Sequence, residues 1–345
     1  MAFQRGWDAI WLRMPDRIPH TEYISHRPFI MKVTGLDPED PDQREAAYAA
    51  LARELDYDFI WSTYSREWGL PKADMGRAKF YETEVPWEAH YPFHTVDEVL
   101  AFNPLDVAQV PTLRDLTADV RAYYERGRAL YPEAEFPGGF YNSVFTWNIV
   151  TFGWELFMMA AVTDPDRFER ILDQFTEISM LVVQAHIEAE IPIFLCHDDI
   201  VWANGPAFSP AWMRRYVFPR LKRLWKPLKE AGIKVLFCSD GNFNLFIDDL
   251  VEAGADGFIF EPMTDLKYIV ERYGKTHVII GNIDSRILQN GTPEDIRAEV
   301  KRCADLGRDC PGYFFAVGNH IPYTVPIENV ECYLDAIREM GVRGS

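Results

Sequence analysis

Cys238 and Asp240 stand two residues apart at the end of the apolar run IKVLFCSDG (233–241). In an extended chain, residues i and i+2 share a face, so this thiol and carboxylate can reach one metal ion or one reacting atom. Two ligands are only part of a metal site, because zinc takes about four donors and a catalytic site draws about three of them from protein. His197 or His320 could add the third. The run CHDD (196–199) offers His197, Asp198 and Asp199. One of the two aspartates is expected to cap a helix or loop, for which Asp is a preferred residue, and Asp199 is the one expected to face a cavity. Other apolar runs end in His20 and Glu22, in Tyr64, in Tyr141 and Asn142, in Asn242, in Glu261, in Asn282 and Asp284, and in Asn319 and His320. Groups of such different types, if they converge, can move protons or hold a metal. Each also has a structural alternative. His20 or Glu22 can satisfy neighbouring backbone, Cys238 can be a small buried hydrophobe, and Asp284 can accept backbone N–H bonds in the turn after GN.

The runs that end in these residues set the fold. They are IPHTEYI (18–24), DFIWSTY (58–64), EFPGGFY (135–141, the weakest), IPIFLCHDD (191–199), IKVLFCSDG (233–241), DGFIFEP (256–262), HVIIGNID (277–284) and GYFFAVGN (312–319). Most are continuously apolar and rich in β-branched or aromatic residues, as strands buried on both faces of a parallel sheet are. Amphipathic helical stretches lie between them. Residues 209–232 open on Ser and Pro and close on Gly232, with Pro219 kinking or dividing the helix. Residues 244–255 and 292–307 follow the same plan, and 150–190 hold two helices broken near TDPDR (163–167). Eight strands with helices between them fit a closed α/β barrel of the (β/α)8 TIM type. A doubly wound sheet would carry a glycine-rich phosphate loop, and no GxGxxG or GxxxxGK[ST] occurs. Residues 1–345 are therefore expected to form one domain, with an N-terminal helical region and an irregular helical insertion at about 65–135.

Composition narrows the partners. The chain has 345 residues, 48% of them hydrophobic, and a formal charge of -18 from 35 basic and 53 acidic residues. Such an acidic chain lacks the footprint of a nucleic-acid binder and is repelled by anionic membrane surfaces. The five cysteines include no CxxC pair and do not read as a disulfide framework. No apolar run approaches the roughly 20 residues that span a bilayer, and the first twenty residues do not read as a signal peptide. A cytoplasmic location is expected.

The C-terminal half resembles the uroporphyrinogen decarboxylase superfamily. The resemblance lies in DD (198–199), NG (204–205), SP (209–210), SDGN (239–242), EP (261–262), GNID (281–284) and VGNHIPYTVPIENV (317–330), and more loosely in DRIPH (16–20). It is good over about 190–340 and loose before that. The superfamily implies two chemistries, decarboxylation of tetrapyrrole acetate groups and methyl transfer to or from a corrinoid on a partner protein. The arginine-rich N-terminal motif of the decarboxylases is not retained in WLRMPDRIPHTEYI (11–24), although Arg13 and Arg17 are present. The place of their FSD-like aspartate reads IWSTYS (60–65). The zinc-binding methyltransferases of the superfamily carry His-x-Cys where this chain has Cys238-x-Asp240, and a later Cys where it has Gly318–Asn319. Zinc is thus a cofactor the resemblance suggests but whose ligands are not retained.

The chain is therefore expected to resemble the corrinoid-dependent methyltransferase members, moving a methyl group between a small methylated substrate and a corrinoid (cobalamin) on a partner protein. In that reading His197, Asp199, Asp240 and His320 are catalytic, and Cys238 and Asp240 are the metal ligands. The substrate is bound by His20, Glu22, Tyr64, Tyr141, Asn142, Trp147, Glu261, Asn282, Asp284 and Asn319. The partners considered are a small methyl donor or acceptor, a corrinoid protein and a second copy of the chain as a homodimer. The rival readings are a decarboxylase or other lyase on a small organic acid, which needs a cationic clamp, and a barrel that has lost its chemistry.

Overall fold

A computed structural model describes residues 2–73 and 90–343. Six parallel strands, β1 (Gly138–Phe140), β2 (Ile193–His197), β3 (Lys234–Ser239), β4 (Gly257–Phe260), β5 (Val278–Ile280) and β6 (Tyr313–Phe314), pair in chain order. Two extended segments near residues 20 and 60 complete the ring. Thr21 N donates to Phe315 O at 3.1 Å and Phe315 N to Pro19 O at 2.9 Å, tying the first segment to the end of β6. Asp58 N donates to His20 O at 2.9 Å, Ile60 N to Glu135 O at 2.8 Å and Tyr64 N to Gly139 O at 3.1 Å. Every bridge around the ring is parallel. The eight apolar runs of the sequence thus supply the eight staves of a closed barrel, with helices on the outside.

Alternation along the staves divides the core into two sets. Phe59, Ile193, Leu195, Leu236, Cys238, Ile259, Ile280, Phe314 and Ala316 point inward and form a wholly buried cluster of their own. Ala9 and Ile10, at the end of the helix Ala2–Ile10, close the N-terminal end of this cluster. The residues between them, such as Phe194, Val235, Phe237 and Phe258, face the surrounding helices. A barrel filled this way leaves room for chemistry only beyond its last inner layer, at the C-terminal ends of the strands.

The helices follow their sequence signals with two differences. The stretch at 209–232 is divided into Pro210–Tyr216 and Phe218–Glu230, with Pro219 in the first turn of the second helix, where its missing N–H costs nothing. The helices Trp154–Thr163 and Pro165–Glu188 meet at Asp164, whose side chain caps the second by accepting from Arg167 N. The second difference concerns the stretch expected to be an insertion at 65–135. Its last helix, Leu113–Leu130, is the regular crossover between the segment at 58–64 and β1, so only the part before it departs from the barrel plan. Part of that expectation, at 74–89, lies outside the described residues. Among the described residues no helix is long and apolar enough to cross a membrane.

Candidate functional site

β2 and β3 are paired with His197 opposite Cys238 and Leu195 opposite Leu236. Since Leu195 and Leu236 point inward, the same face carries His197 and Cys238 one step further, and Asp199 and Asp240 just past the strand ends. One atom each from His197, Asp199 and Asp240 lie within 4.8 Å of one another. His197 Nε2 is 3.3 Å from Asp199 Oδ1, and Asp240 N donates to the same oxygen at 3.0 Å. Tyr141, beyond β1, lies against the imidazole at 4.0 Å between ring centroids, and its hydroxyl is 3.4 Å from Asp199 Oδ2.

The other wall comes from later strand ends. Glu261, after β4, accepts from Gly241 N at 2.6 Å and from Asn319 Nδ2 at 3.0 Å. Asn319 also hydrogen-bonds Asp240, and its Oδ1 is 2.7 Å from His320 Nδ1. Gly318 lets this wall close. Its φ is +84°, and a Cβ there would stand 2.0 Å from Phe260 O, so only glycine fits.

The electrostatics are those of crowded acids. Burial and the repulsion of Asp199 and Glu261 push the Asp240 carboxyl up to about 7. Burial works against a charged His197, but its neighbours Cys238 and Asp199 more than offset it and hold the imidazole well above its usual range. Burial also pushes the Cys238 thiol up, so the anion that stabilises the imidazolium is Asp199. In Asp199 the contact with His197 outweighs burial and lowers the carboxyl's pKa. His320 is pushed the other way, by burial, toward its neutral form.

Several residues expected at the site lie elsewhere. Asp198 faces outward, where its carboxylate accepts from Ser143 Oγ (2.7 Å), Val144 N (2.9 Å), Phe145 N (3.0 Å) and Thr146 N (2.6 Å), holding the start of the helix Thr146–Phe152. Cys238, expected as a metal ligand, is wholly buried in the inner layer beneath the cluster and is hydrogen-bonded with His197. Glu22 is a clasp, accepting from Val317 N at 3.1 Å and from the Tyr333 hydroxyl. His20 is buried beside Tyr57 and Tyr333, 3.6 Å from Glu22. Both belong to the outward parity of their segment. Tyr64 also faces outward, against Tyr123 and His186. Trp147 stacks on Phe175 and donates to Ser179 Oγ at 3.0 Å, in the helical layer. The Asn142 carbonyl meets Ser179 Oγ at 3.4 Å on the same side.

Asn282 and Asp284 follow the end of β5, where the chain is no longer extended and alternation no longer holds. Asn282 donates to Thr264 O at 2.8 Å and accepts from Arg302 at 3.1 Å. Asp284 caps the helix Ser285–Asn290 and pairs with Arg286. Asn242 likewise serves its loop, with Oδ1 accepting from Asn244 N at 3.1 Å. Two inner residues were missed. Trp61 packs against the barrel interior, and the Tyr23 ring is 6.3 Å from that of His320. Counting by twos from Phe59 finds Trp61, but the polar His20 and Glu22 drew attention to the wrong parity beside Tyr23.

A closed α/β barrel whose mouth brings an imidazole together with three carboxylates is an enzyme-type scaffold with an enzyme-type site. The chain belongs to the uroporphyrinogen decarboxylase family, whose family model matches residues 71–340. Curated relatives include uroporphyrinogen decarboxylases from Thermus thermophilus, 32% identical over 50% of this chain and 49% of that protein, and from Syntrophotalea carbinolica, 28% identical over 51% and 50%. The match thus spans about half the length of these curated relatives. The solved structure of a methyltransferase from Methanosarcina mazei covers 98% of both chains with a TM-score of 0.67 at 20% identity, which shows the shared fold.

Proposed function

We propose that the chain moves a methyl group between a small methylated substrate and a corrinoid carried on a partner protein. The observation that carries this reading is the charge of the mouth. Asp199, Asp240 and Glu261 face it, and among the described residues no Arg or Lys is ion-paired with any of them. A substrate with several carboxylates needs cations, most often arginines in bidentate geometry. The two N-terminal arginines do not provide them. Arg17 donates to the carbonyls of Ile337 and Arg338, and Arg13 stands 3.6 Å from Asp8.

The mouth suits the demethylation of an ether or amine. The corrinoid supplies a nucleophilic cobalt that takes the methyl carbon, while the electron pair of the broken bond stays on the departing heteroatom. That atom needs its growing negative charge neutralised. The Asp240 carboxyl, held near neutrality, and the His197 imidazolium stand where a proton is wanted, and Asp199 keeps the imidazole turned toward the cavity. The exposed rings of Tyr23 (45%), Tyr141 (40%) and Trp202 (43%) offer a partner an apolar rim. The test is to mix the protein with cob(I)alamin and a panel of methylated ethers, amines, alcohols and thiols and to follow conversion to methylcobalamin by absorbance. Absence of conversion with every donor class would refute the reading.

A second reading is favoured by the names of the curated relatives, which are uroporphyrinogen decarboxylases. It predicts release of carbon dioxide from uroporphyrinogen, with loss of acetate carboxyls detected by mass spectrometry. That result would replace the first reading.

A further inference from the structure

We propose that His197, Asp199 and Asp240 together bind one divalent cation of the manganese, iron, cobalt or zinc class through nitrogen and oxygen alone. The three side chains come from two adjacent strands whose register is fixed by the ladder, with His197 opposite Cys238. Their ligand atoms already lie within 4.8 Å of one another. Donors on metal bonds of about 2.1 Å are roughly 3–4 Å apart, so small side-chain rotations close the site. The set of one imidazole and two carboxylates suits borderline divalent metals, whereas calcium and magnesium favour oxygen alone and soft ions favour sulfur.

Three surrounding features favour an ion rather than a plain acidic patch. Asp199 is oriented by the Asp240 amide and Asp240 by the Asn319 side chain, the kind of outer support that ligating groups have. Glu261 adds a third carboxylate on the same wall, held by Gly241 N and Asn319. The available sulfur, that of Cys238, is sealed in the layer below and kept as a thiol by burial, so the ligand set is not the pair Cys238 and Asp240 that the sequence spacing suggests. Such a cation would neutralise a departing heteroatom as a Lewis acid. In that respect the inference deepens the methyl-transfer reading, but its test does not depend on it.

The experiment uses the full chain stripped by a chelator and then titrated with Mn2+ alone, followed by the loss of the free-ion EPR signal. A parallel titration with Zn2+ alone competes against a chromophoric chelator. One saturable equivalent is expected. Asp199→Asn and His197→Gln should each weaken binding at least 100-fold, with circular dichroism and melting temperature near those of the parent. Cys238→Ala should bind within about threefold of the parent. No saturable binding by the parent chain, or binding lost on Cys238→Ala but kept in Asp199→Asn and His197→Gln, would overturn the site. Methyl transfer by fully chelated protein would also overturn it while leaving the proposed function standing. Metal binding without methyl transfer would do the reverse.

Discussion

The strand ends after β2 and β3 and the extended segments near residues 20 and 60 carry polar residues in similar number, but they turn them opposite ways. After β2 and β3 the inner parity holds His197, Asp199 and Asp240, and the site forms there. In the first two staves the inner parity holds aromatic Tyr23 and Trp61, and the ionisable His20 and Glu22 face the helices. A carboxylate on the inner face meets other carboxylates and a cavity. On the outer face it meets backbone N–H groups and a tyrosine hydroxyl that fully employ it. The same residue type is therefore reactive in one place and structural in the other, and the cause is register rather than chemistry.

That contrast can be broken by substitution. The largest effect is expected inside the mouth. Asp240→Asn should lower kcat/KM for methyl transfer about 10³-fold, the scale of a lost acid–base group, while the melting temperature changes little. Normal turnover in that variant would place the chemistry elsewhere. On the outer face the expectation inverts. Glu22→Ala leaves Val317 N and the Tyr333 hydroxyl buried without their acceptor. It should cost about 2–4 kcal/mol of stability in urea unfolding, with near-normal turnover by the protein that remains folded. A kcat loss at unchanged stability would mean that Glu22 reaches the cavity after all.

A buried acid away from both regions gives a pH test. Burial pushes Glu135 up to about 7, against the pull of Arg128 3.6 Å away. Its folded pKa lies above its unfolded one, so its stabilising contribution is complete below about pH 4 and is lost as pH rises through about 7. Glu135→Gln should therefore leave stability similar near pH 4 and raise it by roughly 1–3 kcal/mol at pH 8. Equal stability of the two proteins at pH 8 would show that Glu135 is already compensated when charged. The smallest effect is expected from Tyr64→Phe. The ring packs against Tyr123 and His186 outside the barrel, so KM should stay within about twofold. A large KM change would return Tyr64 to the pocket.

The sequence alone determined the barrel. Eight apolar runs with helical spacers have few ways to bury both faces of every strand, and a ring sheathed in helices is one of them. The capped helices at 165–188 and 293–307 were equally legible, because capping is local chemistry between residues three apart. At the site, the CHDD and CSDG ends could be read because their alternation continues from strongly apolar strands. What only the tertiary structure decided was which strand ends meet and which way each side chain turns where extension stops. Asn282 and Asp284 follow the end of β5 and were taken by Thr264, Arg302 and Arg286, partners 2 to 20 residues away. Cys238 and Asp240 share a parity but not a depth. Closure of the barrel buries the first among Leu195, Leu236 and Ile259 and lifts the second into the mouth beside His197. Spacing along a strand specifies the face a side chain takes, whereas its distance from solvent depends on how high the neighbouring strands rise.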